Sequence, residues 1–255
     1  MHESQTYSLL LALLFAVTAG LAGCFALMKR MLLASDVISH LALPGLGIAF
    51  LLRVNPLVGG AATLFIGTLL IWRLQRKTGL ATEATIGVVF AAALAVGAAV
   101  TPREDLVEAL FGSFQGLSFP YFIFGVAASA IVVALLFRLK NQLVLTLFSP
   151  DLAAATGVKV ERLELYFLLA FSLVVLAGLR YMGALLTSAL IILPAAIGRQ
   201  LTSRVAAFLF ASCIASVASV LIGYTFATSV WKSSTPGPAI VIASAVIFAL
   251  ALLKR

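Results

Sequence analysis

The sequence predicts an all-α, polytopic integral membrane protein with about nine transmembrane helices. Three observations carry this. Apolar side chains make up 63% of the 255 residues and charged ones 10%, against about 45–50% and about 25% in soluble domains. Mean hydropathy is +1.17. The apolar residues gather into nine runs, 7–28, 35–52, 56–72, 84–101, 119–137, 163–179, 183–198, 205–227 and 236–253, most of them near the roughly 20 residues that cross a bilayer core. The same figures exclude a soluble enzyme, a disordered chain, collagen and a coiled coil. Cys24 and Cys213 fall in separate runs without a CxxC spacing, so neither a disulfide framework nor a zinc knuckle is expected. The connections are too short for a soluble domain, and 1–255 reads as a single transmembrane domain.

The net charge of +8 would suggest nucleic acid in a soluble protein. Here it follows the loops. The segments 29–30, 73–77, 138–162, 199–204 and 254–255 carry every Lys and Arg except Arg53, Arg103, Arg180 and Lys232. Positive charge marks the cytoplasmic side, which predicts an external N-terminus and an internal C-terminus. An odd number of spans keeps the two sets of loops apart. No nucleic-acid partner is expected.

The first run contains Leu21-Ala22-Gly23-Cys24, similar to a lipoprotein cleavage site. Residues 1–6 carry no Lys or Arg and the run continues to Lys29-Arg30, so a retained first span is expected. The second span opens on Ser35-Asp36-Val37-Ile38-Ser39-His40 and continues through Pro44-Gly45. An ionisable residue inside a span costs about 2.5–3.5 kcal/mol or more and is a functional candidate by default. Asp36 and His40 stand at i, i+4, on one helix face. A carboxylate and an imidazole one turn apart suit a divalent transition metal. Pro44 removes a backbone hydrogen bond and is expected to kink the helix just beyond. One pair supplies only two ligands, whereas zinc takes four. A two-fold homodimer would bring two such pairs to its axis. The alternative reading of the pair is a headgroup-level Asp36 and a His40 in a polar helix contact.

The fourth span opens on Thr82-Glu83-Ala84-Thr85. A carboxylate in a first helical turn is favoured by the helix dipole, and Glu83 is also a candidate for a secondary metal path. Thr101-Pro102-Arg103-Glu104 reads as a capping box that starts a short surface helix to Phe111. Gly112, Gly116, Gly178 and Gly183 suit close helix packing. Between the fifth and sixth spans lies Ser149-Pro150-Asp151-Leu152-Ala153-Ala154-Ala155-Thr156-Gly157. Ser149 caps, Pro150 fits the first helical position, Asp151 suits the positive end and Gly157 stops the helix. About two turns cannot persist alone in water, so this helix must pack on the membrane-side loops or dock on a cytoplasmic partner. The run 183–198 is the weakest span; it is short and contains Pro194, which fits a broken or re-entrant helix buried by protein. The sequence contains no G-x-x-x-x-G-K-[ST], G-x-S-x-G or H-E-x-x-H, so neither P-loop ATP binding nor intramembrane hydrolysis is expected.

Taken together, four segments resemble the membrane permease subunits of the bacterial zinc/manganese ATP-binding cassette (ABC) importers, over about residues 10–253. They are Lys29-Arg30-Met31 with Ser35-Asp36-Val37-Ile38-Ser39-His40 and Leu43-Pro44-Gly45; Glu83 with Ile86-Gly87; Phe148 through Ala153 with Gly157; and Gly183-Ala184-Leu185-Leu186 through Leu193-Pro194-Ala195-Ala196. Ser35 stands where that family commonly has Gly, and Glu83 where it commonly has Asp; neither removes a ligand. The resemblance implies a permease fold related to the cobalamin/siderophore type and a homodimer in the inner membrane. It also implies two separate cytoplasmic ATPase subunits and an external metal-binding delivery protein. Asp36 and His40 match the metal-coordinating positions. Ser149, Pro150, Asp151, Ala154 and Gly157 match the helix that couples to the ATPase. Pro44, Gly45 and Pro194 are, from proline's effect on a helix, the kink or gating candidates. The implied activity is import of Zn2+ or Mn2+, without chemistry or a permanently bound cofactor. The stretch 183–196 and the C-terminal run lean towards zinc. The rival readings are a siderophore/cobalamin-type ABC permease, which has no use for an intramembrane Asp/His pair, and an ion-coupled secondary transporter, which often shows an inverted repeat.

Overall fold

The computed structural model describes residues 2–100, 119–231 and 236–253. The surface helix expected after Thr101, with Gly112 and Gly116, lies outside these residues. The described residues form α1 (His2–Met28), α2 (Ala34–Ser39), a 3-10 turn (His40–Ala42), α3 (Leu43–Leu52), α4 (Pro56–Thr78) and α5 (Thr82–Val100). There follow α6 (Phe119–Phe148), α7 (Pro150–Ala155), α8 (Val160–Leu179) and α9 (Met182–Leu201). Finally come α10 (Val205–Phe226), which runs into a π-helical turn (Ala227–Trp231), and α11 (Gly237–Leu253). Among the described residues eight helical segments are long and apolar enough to cross a membrane, and α11 is an apolar helix of 17 residues. Each of the nine apolar runs therefore has its helix.

The spans divide by burial. In α1 the most apolar window is 72% buried and in α9 it is 67%, whereas in α4 and α5 it is 22%. That contrast, with 61% in α8, places α1, α8 and α9 inside the bundle and α4 and α5 at its surface. Phe15, Ala19, Ala22 and Phe25 of α1 pack in one core with Phe167 and Phe171 of α8, Leu186 and Ile191 of α9, and Val132 and Leu136 of α6. Lipid tails are as apolar as leucine, so such contacts gain from close fit more than from water exclusion. Small residues supply the fit. A Cβ on Gly23 of α1 would strike the Ile191 carbonyl of α9, and one on Gly45 of α3 would strike the backbone of Gly59 on α4.

Two expectations about helix breaks are corrected. The irregular stretch near Pro44 lies before the proline: the 3-10 turn His40–Ala42 precedes α3, and Pro44 sits in the first turn of that helix. Proline is tolerated there because its missing N–H would be unpaired in any case. The run 183–198 is a helix of 20 residues, Met182–Leu201, and continues through a buried Pro194. The break is at Gly183, whose φ of 75° and ψ of 168° are non-helical. There the chain folds back, so that a Cβ on Gly178 would meet the side chains of Thr187 and Phe15. Gly178 is thus a packing residue as expected, while Gly183 is the turn itself.

Candidate metal centre

Asp36 lies in the first turn of α2 and His40 opens the 3-10 turn that follows. The backbone stays right-handed helical through Ser39 and His40, so the one-turn spacing between the two side chains survives the change of helix type. Their surroundings differ. Asp36 is exposed, and the Ser188 hydroxyl of α9 donates to its Oδ1 at 3.4 Å. His40 is half-buried with its ring 5.6 Å, centroid to centroid, from Phe90 of α5. The next turn is held by the Ser39 hydroxyl, which donates to the Asp36 carbonyl at 2.6 Å. The pair thus stands where α2 meets α9 on one side and α5 on the other.

Among the described residues no three His, Cys, Asp or Glu side chains gather closely enough to hold a metal ion. Glu83 is exposed in the first turn of α5, seven residues before Phe90, and does not join Asp36 and His40 in a cluster. The described residues of one copy therefore offer a pair of candidate ligands, short of zinc's four. Pro44 and Gly45 are buried just beyond the pair, Gly45 at the crossing with α4. Pro194 is buried in α9, six residues beyond Ser188.

The short helix forms as its sequence dictates. Ser149 is extended, with φ −156° and ψ 103°, and its hydroxyl accepts from the Leu152 N–H at 3.2 Å. Pro150 and Asp151 occupy the first turn of α7. At the other end Gly157 takes a φ of 84°, its N–H bonds to the Ala154 carbonyl and the Val158 N–H to the Ala153 carbonyl, the paired closure of a Schellman stop. Ala153 is buried against the bundle, while Pro150, Asp151, Leu152, Ala154 and Gly157 are exposed. With Phe148 also exposed, the helix packs by one residue and presents the remainder outward.

Sequence reasoning missed the partners. Ser188 and Phe90 lie in apolar runs with nothing local to mark them. It also missed a cluster at the foot of α8, where Lys29 lies 3.7 Å from Glu164 and Arg76 2.7 Å from Glu161. Burial pushes the Lys29 amine below its ordinary value, and the Glu164 carboxylate opposes that shift.

A family model, the ABC 3 transport family, matches residues 1–255. Over 247 residues the chain is 31% identical to the manganese transport system membrane protein MntC of Halalkalibacterium halodurans, covering 94% of this chain and 83% of that protein. Over 261 residues it is 26% identical to the high-affinity zinc uptake system membrane protein ZnuB of Haemophilus influenzae, covering 100% and 99%. A chain in the structure of PsaBC from Streptococcus pneumoniae in complex with Fab has the same fold, with a TM-score of 0.81 and 24% identity over 97% of this chain and 90% of that one. From its spans, its signatures and this match along its length, the chain belongs to the ABC 3 transport family and is a multi-pass permease subunit of the bacterial inner membrane.

Proposed function

We propose that the chain imports a divalent transition metal, zinc or manganese, as a homodimer driven by two separate ATPase subunits. Asp36 and His40 bind the ion in transit. The observation that carries this is the carboxylate–imidazole pair one turn apart in a span, its carboxylate exposed and steadied by Ser188. The names of the relatives fit a metal of this class, one a manganese and one a zinc transport protein. Two copies supply two carboxylates and two imidazoles, a set that satisfies zinc and suits manganese.

The ion arrives from an external metal-binding protein. ATP binding closes the two ATPases, the exposed face of α7 follows them, and the two permease copies rock about their shared axis. The ligands must be deprotonated to bind, so acid weakens capture.

The test is metal uptake by proteoliposomes containing the whole complex. Replacing Asp36→Asn together with His40→Ala is expected to lower uptake by more than about 100-fold, beyond the roughly 10–100-fold that outer partners of a metal ligand are worth. Uptake at the normal rate would remove both residues from the ligand set. Competition between zinc and manganese in the same assay decides the cargo, since nitrogen and oxygen ligands accept either ion and geometry sets the preference.

A further inference from the structure

The short helix α7 is followed almost at once by α8, whose first turns carry Glu161 and Glu164. Each carboxylate is gripped by a cation from a different part of the fold. Arg76, near the end of α4, places Nη2 2.7 Å from Glu161 Oε2. Its guanidinium also lies 4.9 Å from the centroid of the Trp72 ring, and the Trp72 indole Nε1–H donates to the Glu161 carbonyl at 3.1 Å. Lys29, in the turn between α1 and α2, places Nζ 3.7 Å from Glu164 Oε1 and 5.2 Å from the centroid of Phe167, one turn further along α8. Deeper in the bundle the hydroxyls of Thr68 and Ser172 meet at 2.6 Å and tie α4 to α8 again.

These contacts share a destination. Lys29 stands in the turn leading to α2, and α2 carries Asp36. The helix α4 packs against the 3-10 turn that begins with His40, and against α3. So the foot of α8 is tied to both sides of the segment that bears the proposed ligand pair, across more than 80 residues of sequence. An exposed ion pair such as Arg76–Glu161 adds little to stability. Its physical effect is to fix the position of α4 on α8. Lys29 sits in a half-dry site where burial disfavours its charged form and Glu164 favours it, so removing that partner leaves the burial cost uncompensated.

We infer that Glu161 and Glu164 are positioning residues that carry movement of α7 to the metal-binding segment, Glu164 through Lys29 into α2 and Glu161 through Arg76 and Trp72 into α4. This rests on the reading of α7 as the helix that follows the ATPase. A rigid α8 foot moves with α7, and the two clamps make α2 and α4 move with it.

The experiment measures metal moved per ATP hydrolysed by the complete complex in proteoliposomes, with zinc and manganese assayed separately, alongside metal affinity and melting temperature. In the double variant Glu161→Gln/Glu164→Gln the ratio is expected to fall about fivefold, in line with the coupling energies carried by such contacts. Affinity stays close to wild type, while the melting temperature falls because Lys29 loses its partner. Exchanging the charges, Arg76→Glu with Glu161→Arg and Lys29→Glu with Glu164→Lys, is expected to restore the ratio, because the pairs are re-formed with opposite polarity. An unchanged ratio in the double variant overturns the inference. So does a ratio that falls only with the melting temperature and is not rescued by the exchange. A wild-type complex that hydrolyses ATP without moving either metal overturns the proposed function itself, and this inference with it.

Discussion

Ser188 meets Asp36 at 3.4 Å, the long end of hydrogen-bond reach. At that distance the hydroxyl holds one carboxylate oxygen weakly, and the other has no bond to Ser188. Such outer partners are worth about 10–100-fold in metal affinity, and the long contact puts Ser188 at the low end. Ser188→Ala is expected to weaken metal binding by about tenfold while the complex assembles and melts as wild type; binding as tight as wild type would show that the hydroxyl does nothing for the ligand. The candidacy of Asp36 was legible from sequence because a charge in an apolar run has no cheap explanation. That of Ser188 was not, because a serine in a helix can satisfy itself locally, and Ser188 does also bond to the Ala184 carbonyl at 2.9 Å.

At the scale of elements, α7 is where local chemistry and structure agree most closely. Its cap, its first-turn proline and its glycine stop all act through neighbours within a few residues, so the sequence alone specifies them. The α8–α9 turn is the opposite case. Gly183 reads as a packing glycine in an apolar stretch, yet its φ of 75° with ψ of 168° belongs to a region essentially closed to other residues. A side chain there costs about 1–3 kcal/mol, and Gly183→Ala is expected to lower the melting temperature of the purified protein. An unchanged melting temperature would mean that the reversal does not depend on that conformation. The position of the break near Pro44 was misjudged for a related reason. Proline excludes a hydrogen bond, but whether the helix bends after it or restarts at it depends on how α3 packs against α4 and α5.

At the scale of the molecule, the ligand inventory bears on assembly. Among the described residues of one copy no three metal-capable side chains gather, and the homodimer proposed above supplies the further ligands from its second copy. The expected stoichiometry is one tightly bound metal per two permease chains, measured by titration of the purified complex. Full-strength binding by an isolated single copy would rule out a shared site. The sequence by itself determined the all-helical membrane class, the nine apolar segments, the α7 caps and the Asp36/His40 candidates. All of these rest on composition or on interactions within a turn or two, which any reader of the chain can trace. Tertiary structure alone decided that α1 lies in the core, that Ser188 faces Asp36, and that Lys29 and Arg76 clamp the foot of α8. Those pairings join residues from 85 to 152 positions apart. In a chain with apolar residues on nearly every helix face, no periodicity says which face meets which neighbour; close fit and the need to pair buried polar groups make that choice.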